Sequence, residues 1–281
     1  MKSLYLAAAA ALVLSTPMVA QEAAPPAYLR DRGPGMPTSM FGTYIRRGEL
    51  LIYPFVEYYY DGNLEYKPDE LGYTLAQDFR GRYRATEGLL FFGYGFTDWL
   101  AVELEASVID ASLRTAAADT SSAPDRIHAS GVGDVEGQLR ARWWRESAGR
   151  PEVFSYFEAV APVQTRQLLI ATTDWEFKLG TGVIRGFRWG TVTLRASAEY
   201  ALDGGAIELG EMAAEYFKRL SPAWRVYLGV EGKQDEFELI TEAQWHFARG
   251  MYLKVNNAFG ITSKATDWAP EIGVMFSVPL R

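Results

Sequence analysis

From Gly48 to the C-terminus the chain alternates polar and apolar residues in short runs, each closed by turn-forming residues. In Trp224-Arg225-Val226-Tyr227-Leu228-Gly229-Val230-Glu231, positions 224, 226, 228 and 230 share one face of a strand. Arg225, Tyr227, Gly229 and Glu231 share the other. The same period predicts twelve strands, near residues 48–60, 84–96, 99–113, 131–145, 152–163, 173–187, 191–201, 208–219, 224–233, 236–247, 251–260 and 270–280. Every strand has an apolar face, and no amphipathic helix is available to cover it. Twelve such strands joined as hairpins close most simply on themselves, with lipid outside. The expected fold is all-β: a closed antiparallel transmembrane β-barrel of about twelve strands.

The connections support closure. Those after even-numbered strands are short: Thr97-Asp98, Ser147 to Pro151, Arg188-Trp189-Gly190, Ser221-Pro222-Ala223 and Arg249-Gly250. Those after odd-numbered strands are mostly longer: Asp61 to Tyr83, Arg114 to Ser130, Gln164 to Thr172 and Ile261 to Ala269. Asp203-Gly204-Gly205 and Lys233-Gln234-Asp235 are the brief members of that set. Short turns on one rim and long loops on the other, with an even strand count, is the asymmetry of an outer-membrane barrel whose termini are both periplasmic. Trp99, Trp143, Trp144, Trp189, Trp224 and Trp245 lie near short turns, and Trp175 and Trp268 near long loops. Indole prefers the membrane–water boundary, because its ring is apolar and its N–H needs a partner.

Residues 1–20 read as a signal peptide: Lys2, the apolar run Leu4 to Leu14, then small residues ending at Ala20. That run is too short to span a bilayer as a helix. Residues 21–47, rich in Pro and Gly and without a period, read as an irregular periplasmic lead-in, with the barrel mouth as one place where it can tuck. Residues 48–281 form the barrel. The chain has no cysteine, which excludes disulfides and thiolate chemistry. A net charge of −7 without a basic run argues against a nucleic-acid partner. Expected partners are outer-membrane lipid and lipopolysaccharide, the barrel assembly machinery and a small solute.

Alternation also assigns the inward face. Glu57, Glu87, Glu103, Glu105, Asp134, Glu136, Glu158, Glu176, Glu199, Glu231, Glu238, Glu242 and Glu271 point into the lumen, with Arg140, Arg142, Lys178, Arg195, Arg225, Lys254, Gln244 and His246. The candidates for a solute path are Glu103, Glu136, Arg140, Arg142, Lys178, Arg195, Glu199, Arg225, Glu238, Glu242, His246 and Lys254. Unpaired charges in a dry interior are costly, so each base is expected to contact a carboxylate. Either the lumen holds water or these groups brace the barrel from within.

The stretch Gly131-Val132-Gly133-Asp134-Val135-Glu136-Gly137-Gln138-Leu139-Arg140-Ala141-Arg142-Trp143 resembles a strand signature of outer-membrane transport barrels for aromatic or other hydrophobic compounds. Phe96-Thr97-Asp98-Trp99-Leu100 and Leu220-Ser221-Pro222-Ala223-Trp224 resemble the periplasmic turns of that broad class. The resemblance implies a barrel in the cell outer membrane and a transport role. The chain departs from the pattern at its end, where Arg281 stands in place of a terminal aromatic.

Catalytic chemistry is not legible. His128 falls in the loop segment Asp125-Arg126-Ile127-His128, and His246 near the end of the tenth strand. Neither stands in a lipase arrangement, and no Gly-X-Ser-X-Gly elbow occurs. Asp61-Gly62-Asn63-Leu64-Glu65 lacks the glycine and terminal Glu of a calcium loop and reads as an acidic surface loop. Gly93 and Gly95 fall inside a strand, where close packing explains them better than a phosphate loop. No cofactor, metal or catalytic residue is expected. Two functions stand: a passive pore or carrier for small solutes, hydrophobic ones included, or a non-transporting structural or surface-receptor barrel. An envelope lipid-modifying enzyme is disfavoured.

Overall fold

The computed structural model describes residues 25–165, 169–202 and 205–280. The expected signal peptide, the Asp203-Gly204 part of one turn and Arg281 lie outside the described residues. A 3-10 turn at Ala27–Leu29 and two short strands, β1 (Met36–Pro37) and β2 (Tyr44–Ile45), precede twelve longer strands. These are β3 (Glu49–Tyr66), β4 (Phe79–Gly95), β5 (Leu100–Arg114), β6 (Arg126–Trp144), β7 (Glu152–Ala161) and β8 (Glu176–Gly186). They continue as β9 (Thr191–Ala201), β10 (Ile207–Arg219), β11 (Trp224–Gly232), β12 (Glu238–Ala248), β13 (Met251–Gly260) and β14 (Trp268–Pro279). Each pairs antiparallel with its sequence neighbours, and β14 returns to β3 with Glu271 opposite Glu57 and Pro279 opposite Glu49. The sheet is a closed twelve-stranded barrel. The Leu280 amide donates to the Gly48 carbonyl at 2.6 Å, so the barrel begins and ends on one rim.

That rim carries the short turns, and their side chains fix them. Thr97 Oγ1 accepts the amides of Trp99 and Leu100 at 3.1 and 2.9 Å, and Ser221 Oγ those of Ala223 and Trp224 at 3.2 and 3.0 Å. Such hydroxyl-to-backbone bonds nucleate a turn locally. Gly250 has φ +72°, the left-handed conformation that a two-residue turn demands and glycine adopts without strain.

The outer surface is apolar across its middle. The register aligns Val226, Ala243, Val255 and Ile272 on one face and Arg225, Gln244 and Lys254 on the other. Leu239, Leu253 and Val274 join the outer set, and Glu238, Glu242 and Glu271 the inner. Leu104, Leu139, Leu179, Leu194 and Leu228 stand exposed, as do all eight tryptophans. Trp224 stacks on Trp245 and Phe187 on Trp189 at the short-turn rim; Tyr58, Tyr60 and Trp268 cluster at the other. Water would not tolerate an apolar belt of this extent, whereas a bilayer requires one, bounded by aromatic girdles. Placing an arginine at Leu228, which is 46% exposed in that belt, should therefore cost roughly 2–4 kcal/mol of stability in bilayers. Denaturant titration in lipid vesicles checks this, and equal stability of the two proteins would move Leu228 out of the lipid face.

Three of the first four spanning strands, β3, β4 and β6, run further than the alternation predicts. Of the expected loop Asp61 to Tyr83, only residues 67–78 are unpaired, and of Arg114 to Ser130 only residues 115–125. Outside the bilayer the outward face need not be apolar, so the alternation fades while the ladder continues. A bulge between Asp61 and Leu64 also shifts the register. The inward face of this extension stays apolar, with Tyr66, Phe79 and Leu113 buried against Leu64, Leu71, Tyr83 and Ile127. His128, expected in the loop, therefore sits in β6 opposite Ser112, with Nε2 3.1 Å from an Asp110 carboxylate oxygen.

Candidate functional site

The bore is filled differently at its two ends. On the short-turn side it holds the N-terminal segment, folded as a hairpin whose tip, Ser39-Met40-Phe41-Gly42, meets Glu103 and Gln244 on the wall. Met36 and Ile45 pack against Leu51, Tyr53, Phe55, Phe91 and Met275 on the inner wall. Phe41 stacks on Tyr227 at 5.2 Å between ring centroids. Gly42, at φ +57°, carries no side chain where a Cβ would lie 2.8 Å from Gln244 Nε2. Glycine is required there on both counts.

Ion pairs hold this hairpin at its base. The Arg32 guanidinium, with no side-chain exposure, reaches Glu146 at 3.0 Å and Glu152 at 2.9 Å, and donates to the Gly35 carbonyl at 3.1 Å. Burial alone would depress the Arg32 pKa; the charge of Glu152, then the nearby Tyr44 and the bond to Glu146, outweigh it and hold the pKa above its ordinary value. Arg142 pairs with Glu152 at 3.0 Å and donates to the carbonyls of Pro34 and Asp98, each at 3.1 Å. Near the tip, Glu103 accepts the Ser39 amide at 2.9 Å and hydroxyl at 2.5 Å, and pairs with Arg140 at 3.0 Å. Arg140 also donates to the Pro37 carbonyl at 3.3 Å and lies over the Tyr156 ring. On the opposite wall Gln244 donates to the Gly42 carbonyl at 3.2 Å and to Glu242 at 2.7 Å, and Glu242 pairs with Lys254 at 3.2 Å. Each base here satisfies a carboxylate and a hairpin carbonyl, or a carboxylate already tied to the hairpin. That is how buried charge becomes tolerable.

The long-loop half holds open, charged space. A cavity of about 440 Å³ is lined by Glu136, Glu158, Glu176, Lys178, Glu199, Glu208 and Lys233 with Val160 and Phe177. A second, of about 260 Å³, lies among Glu87, Glu105, Asp134 and Glu136, faced by Tyr59, Leu89, Ile109 and Ile170. Lys178 pairs with Glu158 at 3.0 Å and reaches Glu199 and Glu211 at 4.0 Å. Lys233 pairs with Glu199 at 2.8 Å. Arg195 contacts Glu211 and Glu231 and pairs with Glu215 at 2.7 Å. Elsewhere carboxylates face each other across the sheet: Glu57 opposite Glu87 and Glu271, Glu105 opposite Glu136, and Glu231 opposite Glu238. Like charges so placed repel, at a cost that solvent access lowers.

Glu103, Arg140, Arg142, Glu242 and Lys254 thus meet the hairpin or its supports, while Glu136, Lys178 and Glu199 line the open half. Arg195 borders the hairpin tip, and Glu238 lines neither cavity. His246 stacks on Tyr252 at 4.4 Å, with Nε2 3.3 Å from Gln244 Oε1. The expectation of a carboxylate partner fails for Arg225. Its charged neighbours are Arg219 and Arg46, because alternation selects a face without selecting what stands opposite. Sequence reading also missed Arg32, Glu146 and Glu152, which lie in turns and in the unpatterned N-terminal segment. It missed Glu208, Glu211 and Glu215 too, where a bulge between Leu209 and Met212 resets the alternation of β10. The signal available there is the Glu211–Glu215 spacing, two full pleats on one face.

The barrel matches the COG4313 outer membrane channel from Pseudomonas putida F1 with a TM-score of 0.61, at 12% identity, over 86% of this chain and 99% of that one. The fold is that of an outer-membrane β-barrel. The translocator domain of the autotransporter NalP from Neisseria meningitidis matches with a TM-score of 0.51, at 10% identity, over 83% of this chain and 89% of that domain. No protein-family model matches the sequence, and no curated protein matches it significantly.

Proposed function

We propose that the protein is a passive outer-membrane pore for small solutes, entered from the long-loop side and restricted at its periplasmic end by residues 27–47. The observation that carries this reading is the open, charged cavity of about 440 Å³ in the long-loop half; its wall residues Glu136 and Glu158 also line a smaller space bounded by Ser39 and Met40 of the hairpin tip. The published description of a similar barrel as an outer membrane channel supports it. Solutes of metabolite size fit such a space. Carboxylates outnumber ammonium groups on its wall, so cations and neutral solutes are favoured over anions. In planar bilayers the protein should conduct with cation preference. Glu136→Gln with Glu158→Gln should shift the reversal potential in a salt gradient toward zero. Anion preference of the unmodified pore would sink the selectivity argument.

The second reading, a barrel that conducts nothing and serves as scaffold or receptor, draws on the density of contacts between hairpin and wall. Removal of residues 25–47 separates the two. A pore gains conductance on that deletion; a scaffold stays silent.

A further inference from the structure

Arg225 of β11 points into the short-turn mouth directly opposite Arg219 of β10. Like charges in that relation destabilise a sheet unless something lies between them. Arg46, where the chain leaves the hairpin, places its guanidinium beside Gly33, two residues from the Asp31 that accepts the Arg219 amide, and its charge acts on Arg225. Gln244 of β12 lies opposite Arg225 on its other side, and the phenols of Tyr252 and Tyr44 and the imidazole of His246 lie near it. Arg225 Nε is buried and has no acceptor.

The two carboxylates nearby are engaged elsewhere. Asp31 accepts the Arg219 backbone amide at 3.2 Å and faces Lys218 at 3.6 Å; Glu49 accepts the Arg46 amide at 2.7 Å and the Ser277 hydroxyl. Every other lumenal base that sequence reading singled out has a carboxylate within 4.0 Å. The Arg219 guanidinium donates to the Ser221 carbonyl at 3.3 Å, and among the described residues no carboxylate pairs with Arg46, Arg219 or Arg225, so the group has positive charge that an anion would complete. The planar guanidinium fork matches an oxyanion in two-point contact.

We infer that Arg46, Arg219 and Arg225 form a binding site for an oxyanion, a phosphate or carboxylate group, at the short-turn mouth. The site joins three elements: the hairpin's exit through Arg46, β10 and β11. A bound anion therefore ties the hairpin to the wall. The inference does not depend on whether the barrel conducts.

Titration calorimetry of the full chain in non-ionic detergent, with sodium phosphate at constant ionic strength, tests it. One saturable phosphate is expected, bound at least tenfold more weakly by Arg225→Gln and by Arg219→Gln. Arg249→Gln, a turn arginine outside the group, should bind as the wild type does. Phosphate should raise the melting temperature of the wild type and leave that of Arg225→Gln unmoved, with heat-modified gel mobility confirming that each barrel is folded. No saturable binding, or equal binding by all four proteins, overturns the site. Short-chain phosphatidylglycerol run in parallel identifies the source. Binding tenfold tighter than phosphate assigns the site to a lipid headgroup, and binding no tighter assigns it to a free anion; both support the site.

Discussion

Replacement of Arg32 by alanine is expected to release the N-terminal hairpin and raise single-channel conductance several-fold. Arg32 is the one cation shared by Glu146 and Glu152, whose side chains are at most 2% exposed. Truncating it leaves two carboxylates to Arg142 and Arg185, the latter 3.7 Å from Glu146. Breaking a buried pair of this kind costs about 3–5 kcal/mol. The loss falls on the hairpin rather than on the barrel ladder, since the hairpin is joined to the wall at only one end. Two measurements check it together: conductance in planar bilayers, and protease cleavage within residues 27–47 in folded protein. Wild-type behaviour in both would show that the hairpin is held by its apolar contacts, with Met36 and Ile45 as anchors.

Lys254→Met should act on the barrel itself. The Lys254 and Glu242 side chains are 1% and 0% exposed and pair at 3.2 Å across β12 and β13. The lysine also lies 4.9 Å from the Tyr53 ring centroid. Methionine fills the space but leaves Glu242 with Gln244 alone, a loss of about 3–5 kcal/mol in denaturant titrations. Adding Glu242→Leu removes the stranded charge and should restore most of the stability, because a well-packed apolar pair often equals a buried ion pair. A single variant as stable as the wild type would mean that water reaches Glu242.

The strands were legible because the bilayer enforces their pattern. Trp224 to Glu231 must place apolar atoms outward at every second position, and a one-residue slip would expose charge to lipid. Where lipid stops, so does the signal: residues 61–66 of β3 and 79–83 of β4 are paired, yet their outward residues follow solubility alone. The site was legible in part. Arg140 and Lys254 could be assigned to the lumen from sequence, but their partners depend on register between strands. Glu211 and Glu215 were hidden by the bulge between Leu209 and Met212, which breaks the alternation of β10 and leaves only their own spacing as a signal. The hairpin was unreadable for a different reason. Its order comes from contacts with β5, β6, β10, β12 and β13, and none of these leaves a period in residues 27–47.

The apolar cluster around Met36 and Ile45 bears on how the cylinder stays shut. Its members come from β3 and β4 on one side of the closing seam and from β13 and β14 on the other. Prising β3 from β14 would therefore break more than a ladder of backbone bonds: it would also strip Met36 and Ile45 of the side chains that cover them. The hairpin works as a rivet across the seam, fastening from within the one join between strands far apart in the chain.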